Sequence, residues 1–319
     1  MKRPTGRVAG YALITYRIPP LLAVWTALSW VFPGREGKGN GGRATTTIAV
    51  IGATGTAGSR VAARLKWRGI TVVEISRANG IDLISGQGLS QALEAVDIVI
   101  DVSNPAPTDE SDLTRTIATA YHNLVGACAS NGVQRIVALT IAGIDDPVFD
   151  EFPYYVAKRR AKEIVLNGPI PATVVKSTQL HEFATDPAAV SCRDDEVIVE
   201  DWLIQPIAAD TVADVLVEAA IGQRRAPRTI TGPQEIRLPE LTSKLLALQG
   251  DRRRVRTVQP SLSALAGGAL LASGHAVVLG PNIDTWLNSQ TVDGAGNQPL
   301  DQESTEPPPA QDAPDLSRA

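Results

Sequence analysis

The sequence predicts an α/β fold, a doubly wound parallel sheet with a small C-terminal lobe, from three observations. Short apolar, β-branched runs alternate with segments of helical periodicity. The first of these runs ends in a glycine-rich turn that passes straight into a helical pattern. No repeat of roughly 20 to 50 residues interrupts this order, so one sheet accounts for the alternation.

Taken in order, apolar runs at Thr45 to Gly52, Ile70 to Ser76, Asp97 to Ser103, Arg135 to Thr140 and Ala172 to Ser177 are the predicted strands. Helical periodicity lies between them at Ala57 to Arg68, Leu89 to Ala95, Asp109 to Asn131 and Pro153 to Asn167. Gly69, Asn131-Gly132 and Asn167-Gly168-Pro169 supply the stop signals. After Ser177 the alternation changes. Ala208 to Ile221 reads as an amphipathic helix, Arg228 to Gly232 as a short strand and Leu238 to Leu248 as a helix with Pro239 near its start. Leu262 to Leu271 reads as an apolar helix or wall.

Three segments follow. Residues 1–46 form an N-terminal extension, residues 47–288 the main domain with a substrate lobe built mainly from 178–288, and residues 289–319 a disordered polar tail containing Pro307-Pro308-Pro309. In the extension, Lys2, Arg3 and Arg7 precede an apolar stretch, Leu21 to Phe32, that is short of the roughly 20 residues a spanning helix needs. No small-residue cleavage site follows it. The extension is read as disordered, with membrane association through residues 11–32 as the alternative, and Gly34 to Gly42 as a flexible linker.

Composition narrows the function. With 44% hydrophobic and only 4% aromatic residues, the core must come from Ala, Val, Leu and Ile. A net charge of −4 and a pI near 5.5 argue against a polyanion-binding surface, and the runs Arg224-Arg225 and Arg252-Arg253-Arg254 read as solvated loops, so no nucleic-acid partner is expected. Cys128 and Cys192 lack C-x-x-C spacing, which predicts free thiols in a reducing, cytoplasmic setting. His122, His181 and His275 have no companions at metal-ligand spacing, so no metal is expected.

Two constellations carry chemistry. The run IAVIGATGTAG places Gly52, Gly55 and Gly58 in G-x-x-G-x-x-G spacing between a buried strand and a helix, with Thr54 and Thr56 in the same turn. Glycines there let the backbone turn tightly and approach a pyrophosphate at the helix N-terminus, the mark of a Rossmann-type dinucleotide site. The second strand ends in Ser76-Arg77, and Glu74 comes too early to reach a ribose hydroxyl, so NADP(H) is preferred over NAD(H). The other constellation is Tyr154 and Lys158 in PYYVAKRRAKEIV. Four residues apart on a helix, phenol and ammonium can converge on one pocket, and the cation can favour phenolate. In TQLHEF, His181 follows a strand at its C-terminal end, where it is a candidate substrate contact or a structural hydrogen-bonding residue.

With these motifs in this order, residues from about Thr46 to Leu287 resemble the short-chain dehydrogenase/reductase superfamily, in its atypical NmrA-like, NAD(P)H-binding branch. VIGATGTAG, GIDLISGQGL, VDIVIDVSNP, RIVALTIAGID, YYVAK, KSTQLHEF and QPIAADTVADVL carry the resemblance. It implies Gly52, Gly55 and Gly58 around the pyrophosphate, Asp82 near the adenine and Asn104 beside the ribose and nicotinamide. It further implies Thr140 in place of a catalytic serine, Tyr154 as acid-base and Lys158 on the nicotinamide ribose. The implied activity is NAD(P)-dependent reduction of a small carbonyl or quinone-like substrate. Many NmrA-like proteins instead bind nucleotide as redox sensors without turnover, and that alternative stays open.

Overall fold

A computed structural model describes residues 46–105, 113–222 and 228–295. The extension up to residue 45, the start of the helix expected from Asp109, the pair Arg224-Arg225 and the tail beyond residue 295 lie outside the described residues.

The first half of the chain alternates as its hydrophobic pattern requires: β1 (Thr47–Ile51), α1 (Thr56–Trp67), β2 (Thr71–Ile75), α2 (Leu89–Ala92), β3 (Ile98–Asp101), α3 (Leu113–Ser130), β4 (Arg135–Ile141), α4 (Pro153–Leu166) and β5 (Ala172–Ser177). The second half is more broken. It runs through β6 (Val190–Cys192), β7 (Glu196–Glu200), β8 (Leu203–Ile204), α5 (Ala209–Ile221), β9 (Thr229–Thr231), β10 (Ile236–Arg237), α6 (Leu238–Leu248), β11 (Arg254–Val258), α7 (Ser263–Ala266), β12 (Val277–Val278) and α8 (Ile283–Ala295).

Seven strands form one parallel sheet in the order β12-β9-β5-β4-β3-β1-β2. Helices cover both faces, which is why the central strands are apolar throughout and Ile48 to Ile51 are almost wholly buried. On one face α1 and α5 pack Val61, Leu65, Val212 and Leu216 against Ile48, Val50 and Val175. On the other, α3 and α4 pack Ile117, Leu124, Ala161 and Val165 against Ala49, Val99 and Ile136. Strand order reverses between β1 and β3, and the crevice at such a switch point is where open α/β sheets bind ligands.

Beyond β5 the chain builds its own core from Trp202, Leu241, Leu245, Leu265 and Trp286, joined by Phe149 and Tyr155. Two small sheets, β11-β7-β6 and β10-β8, frame it. The expected wall at Leu262 to Leu271 is only the single helical turn α7, because Gly267 and Gly268 follow it directly. Helix α8 continues to Ala295, past the point where composition turns polar, because Ile283, Trp286 and Leu287 anchor its start in the lobe core.

Candidate functional site

The turn after β1 brings three chain segments into contact. Gly52 adopts φ +81°, and a side chain there would press on the backbone of Ser103 at 3.0 Å, so this turn and the end of β3 touch. Gly58, in the first turn of α1, lies so close to the turn that a β-carbon would sit 2.0 Å from the Gly52 carbonyl oxygen. Gly55 caps the helix in an extended conformation without a side-chain cap, and the first turn of α1 holds no acidic residue. The N–H groups and dipole of α1 are therefore offered to an anion, with Thr54 and Thr56 flanking Gly55 in the same turn.

At the end of β2, Ser76 Oγ is buried without a hydrogen-bond partner, and exposed Arg77 follows it. Glu74 does not face this point, because its carboxylate is paired with Lys66 on α1. Asp82 accepts the N–H groups of Ile84 (3.0 Å) and Ser85 (3.3 Å). Burial acts to raise its pKa, yet these hydrogen bonds and the Arg77 charge hold it below the usual carboxylate value. The carboxylate thus shapes the loop that follows Arg77.

From the opposite side, α4 presents Tyr154 and Lys158. Pro153 starts this helix, and the two residues, one turn apart, reach the loop after β3: Tyr154 Oη donates to Asn104 Oδ1 at 3.4 Å, and Lys158 Nζ to the Ser103 carbonyl at 3.5 Å. Tyr155 plays no part here, because its ring lies in the lobe core 4.4 Å from that of Phe149. Burial pushes the Tyr154 phenol up to about 12, the Asp186 carboxylate adds to this, and the Asn104 hydrogen bond opposes it. Lys158, almost fully buried, is held below the usual lysine range by desolvation, against the attraction of Asp101. Thr140, near the end of β4, lines a small cleft together with Lys158 and Tyr121, and its Oγ1 is buried without a partner.

The residues present fit a dinucleotide. An uncapped helix N-terminus, a contact that only glycine tolerates at position 58, and the unpartnered hydroxyl of Ser76 lie around the turn after β1. A family model described as NAD(P)H-binding matches residues 52–221, more than half of the chain. The chain belongs to this NAD(P)H-binding family. No curated protein matches it.

Solved structures place the NAD(P)H-binding protein in its fold. It is similar to a short-chain dehydrogenase/reductase superfamily protein from Agrobacterium tumefaciens with bound NAD, at 16% identity and a TM-score of 0.55 over 78% of this chain and 97% of that one. A UDP-N-acetylglucosamine 4-epimerase from Bacillus cereus gives 16% and 0.55 over 80% and 98%. An NADPH-dependent quinone oxidoreductase from Escherichia coli, complexed with NADPH, gives 15% and 0.53 over 76% and 99%. The expected Rossmann-type sheet is borne out.

On the lobe side of the NAD(P)H-binding protein, His181 is completely buried, its ring 4.8 Å from that of Trp286. Neither ring nitrogen has a close hydrogen-bond partner, and burial lowers its pKa to about 4 with only partial opposition from the Pro206 carbonyl, so the ring is neutral at neutral pH. Among the described residues no cluster of ligands could hold a metal ion, and no helix is long and apolar enough to cross a membrane. Both cysteines are free thiols, Cys128 buried and Cys192 exposed.

Sequence reasoning missed two features of this region. Asp101 is a completely buried carboxylate at the end of β3, signalled by a lone acid closing the apolar run IVID. Glu182, next to His181, forms an ion pair with Arg60 of α1 at 3.0 Å. Nothing in the sequence spacing announces that second contact.

Proposed function

We propose that the protein is an NADPH-preferring oxidoreductase that reduces a small carbonyl or quinone-like compound, with Tyr154 as its general acid. The observation that carries this reading is the meeting of Tyr154 with Asn104 and of Lys158 with Ser103 on the loop that touches the glycine turn. A nicotinamide bound there supplies hydride chemistry. The helix N-terminus at Gly55 to Gly58 would hold the pyrophosphate, and Lys158 and Asn104 the nicotinamide ribose.

Tyr154, with its phenol held near 12, is protonated at neutral pH. That is the state a general acid needs in the reductive direction, since the phenol can give its proton to a substrate oxygen as negative charge develops there. Thr140 supplies a second hydroxyl donor, on a side chain whose branched β-carbon restricts its rotamer. For the cofactor, the unpartnered Ser76 hydroxyl and exposed Arg77 support a 2′-phosphate, and the engagement of Glu74 with Lys66 removes the acid that would repel it.

The second reading is a dinucleotide-binding redox sensor without turnover. It is favoured by one observation: the Tyr154 phenol is set by its burial, Asp186 and Asn104 and not by the Lys158 cation, whose charge the buried Asp101 offsets.

The deciding experiment titrates the protein with NADPH, NADP⁺, NADH and NAD⁺, following nicotinamide fluorescence or competition, and then adds quinones and aldehydes. The reductase oxidises NADPH on substrate addition, loses that activity in Tyr154→Phe with NADPH affinity kept, and loses about tenfold of its NADPH preference in Arg77→Ala, roughly one charge-assisted contact. Clear discrimination between oxidised and reduced dinucleotide, with no turnover and no effect of Tyr154→Phe, assigns the sensor instead.

A further inference from the structure

Directly behind the loop that Tyr154 and Lys158 reach lies a buried polar cluster that the proposed chemistry does not use. Asp101 closes β3 with no exposed surface. One carboxylate oxygen accepts the Ser103 N–H at 3.0 Å, and the Ser103 and Tyr121 hydroxyls also act on the carboxylate and favour its ionised form. A carboxylate placed this way is costly to bury unless a compensating charge lies near.

The surrounding elements narrow that charge to one residue. From α3 come Tyr121 and Cys128. Burial drives the phenol well above its ordinary value and the thiol up to about 12, and the Asp101 charge adds to both, so neither ionises in the neutral range. From α4 come Tyr154, protonated as argued above, and Lys158. Lys162 lines the same cleft as Lys158 but is paired with Asp145. From β4 the cleft receives Thr140, which carries no charge. Lys158 is held by the Ser103 carbonyl, and the Ser103 N–H is held by Asp101, so a single residue ties the two charges together from its two backbone groups.

We propose that Asp101 is the positioning residue and counter-charge of Lys158, so that the ammonium serving the dinucleotide works as half of a buried pair and not as a free cation. This rests on the reading that Lys158 contacts the nicotinamide ribose. Burial pulls the Lys158 ammonium toward deprotonation and Asp101 opposes it. Burial likewise pulls Asp101 toward protonation, and the Ser103 hydrogen bonds, then the Lys158 charge and the Tyr121 hydroxyl, oppose that. Without the carboxylate, Lys158 keeps the desolvation and loses its compensation, and it gives up its proton at lower pH.

The test follows the Lys158 Nζ resonance in protein labelled with ¹⁵N-lysine, assigned with Lys158→Met, as pH rises. In Asp101→Asn, which keeps the Ser103 N–H acceptor, the midpoint drops by at least about one pH unit, the size expected for loss of one close opposite charge. A midpoint unchanged within a few tenths of a unit overturns the proposal. Should Asp101→Asn fail to fold, the ¹³C shift of the Asp101 carboxyl group in the wild type decides: ionised through the neutral range supports the pair, and protonated there overturns it. NADPH titrations run alongside separate this from the site reading. Lys158→Met lowers NADPH affinity about tenfold if Lys158 serves the cofactor, and the Asp101→Asn loss grows with pH. NADPH affinity unchanged in Lys158→Met refutes the cofactor role of Lys158, while the Nζ titration still judges the pair.

Discussion

Replacing Gly58 by alanine isolates the contact that makes the glycine turn work. The new β-carbon would lie 2.0 Å from the Gly52 carbonyl oxygen, 2.7 Å from its carbon and 2.9 Å from the Ala53 α-carbon, all backbone atoms. No side chain can swing away, so α1 must move off β1 or the turn must open. Two effects compete. Gly58 is helical, and alanine there would gain up to about 1 kcal/mol of helix propensity. Against this stands an overpacking cost of about 3 kcal/mol or more, since a rigid backbone cannot relax as a side chain can. The net loss is about 2 kcal/mol, which lowers Tm by roughly 4 to 8 °C in a domain of this size. Gly55→Ala is the control: its β-carbon would meet only the Gly52 oxygen, at 3.3 Å, and its backbone is extended, so stability changes little. The assay is thermal unfolding of both variants, followed by NADPH titration of the folded protein. NADPH affinity falls at least tenfold in Gly58→Ala, because any shift of α1 carries its N–H groups away from the turn. A Gly58→Ala protein that melts with the wild type and binds NADPH equally well refutes the reasoning.

Two further predictions concern the lobe side. His181 is buried with a pKa of about 4 against an ordinary 6.5, so folding favours the neutral ring. Its contribution is fully present above about pH 6.5 and is lost as pH falls toward 4, for a total of about 3 kcal/mol. Urea unfolding from pH 7 to 4.5 should show a shallower acid slope in His181→Phe, and an unchanged slope would sink this account. Arg60 is the partner of Glu182, whose carboxylate burial pushes above the usual range against the pull of Arg60. Arg60→Met should cost about 1 to 3 kcal/mol at pH 8, discounted for partial exposure, and less as pH falls and Glu182 takes up a proton. Because Arg60 also pairs with Asp210 at 3.1 Å, adding Glu182→Gln should recover part of the loss, and a cost independent of pH and of that second change would count against a role for the Glu182 ion pair.

How much of this molecule the sequence discloses depends on how local the cause is. Strand β5 and helix α6 were legible to the residue, and β1 to β4 to within a few residues, because buried parallel strands write continuous apolar runs and their helices end at glycine or asparagine. The glycine turn was legible because one of its close contacts joins residues only six apart, Gly52 and Gly58, whereas the approach of Gly52 to Ser103 was not. The sheet β11-β7-β6 was not. In β11 the sequence RVRTV reads as a charged loop, and only pairing with β7 more than fifty residues earlier makes it a strand, with Arg256 meeting Glu196 across the ladder. The Asp101 to Lys158 arrangement is hidden in the same way, since neither residue's neighbours reveal what α4 lays beside β3.

Helix α4 explains why the cofactor side is readable and the substrate side is not. Its Ala157, Ala161, Ile164 and Val165 belong to the core under the sheet, whereas Tyr155 belongs to the core of the lobe. Tyr154 and Lys158 sit where the two cores meet, and one helix fixes the spacing between them whatever the lobe does. The pair can therefore be inferred from four consecutive steps of sequence. What faces Tyr154 across the cleft comes from elsewhere: Asp186 acts on its phenol from the segment after β5, a segment tied to α1 through Glu182 and Arg60 and to α8 through the tilted ring contact of His181 with Trp286. Substrate selection thus depends on contacts between parts of the chain far apart in sequence, set by lobe packing, while cofactor binding depends on one turn and one helix. A change in α8 such as Trp286→Ala should accordingly alter substrate KM far more than NADPH affinity, and equal losses in both would show that the two cores do not divide the work in this way.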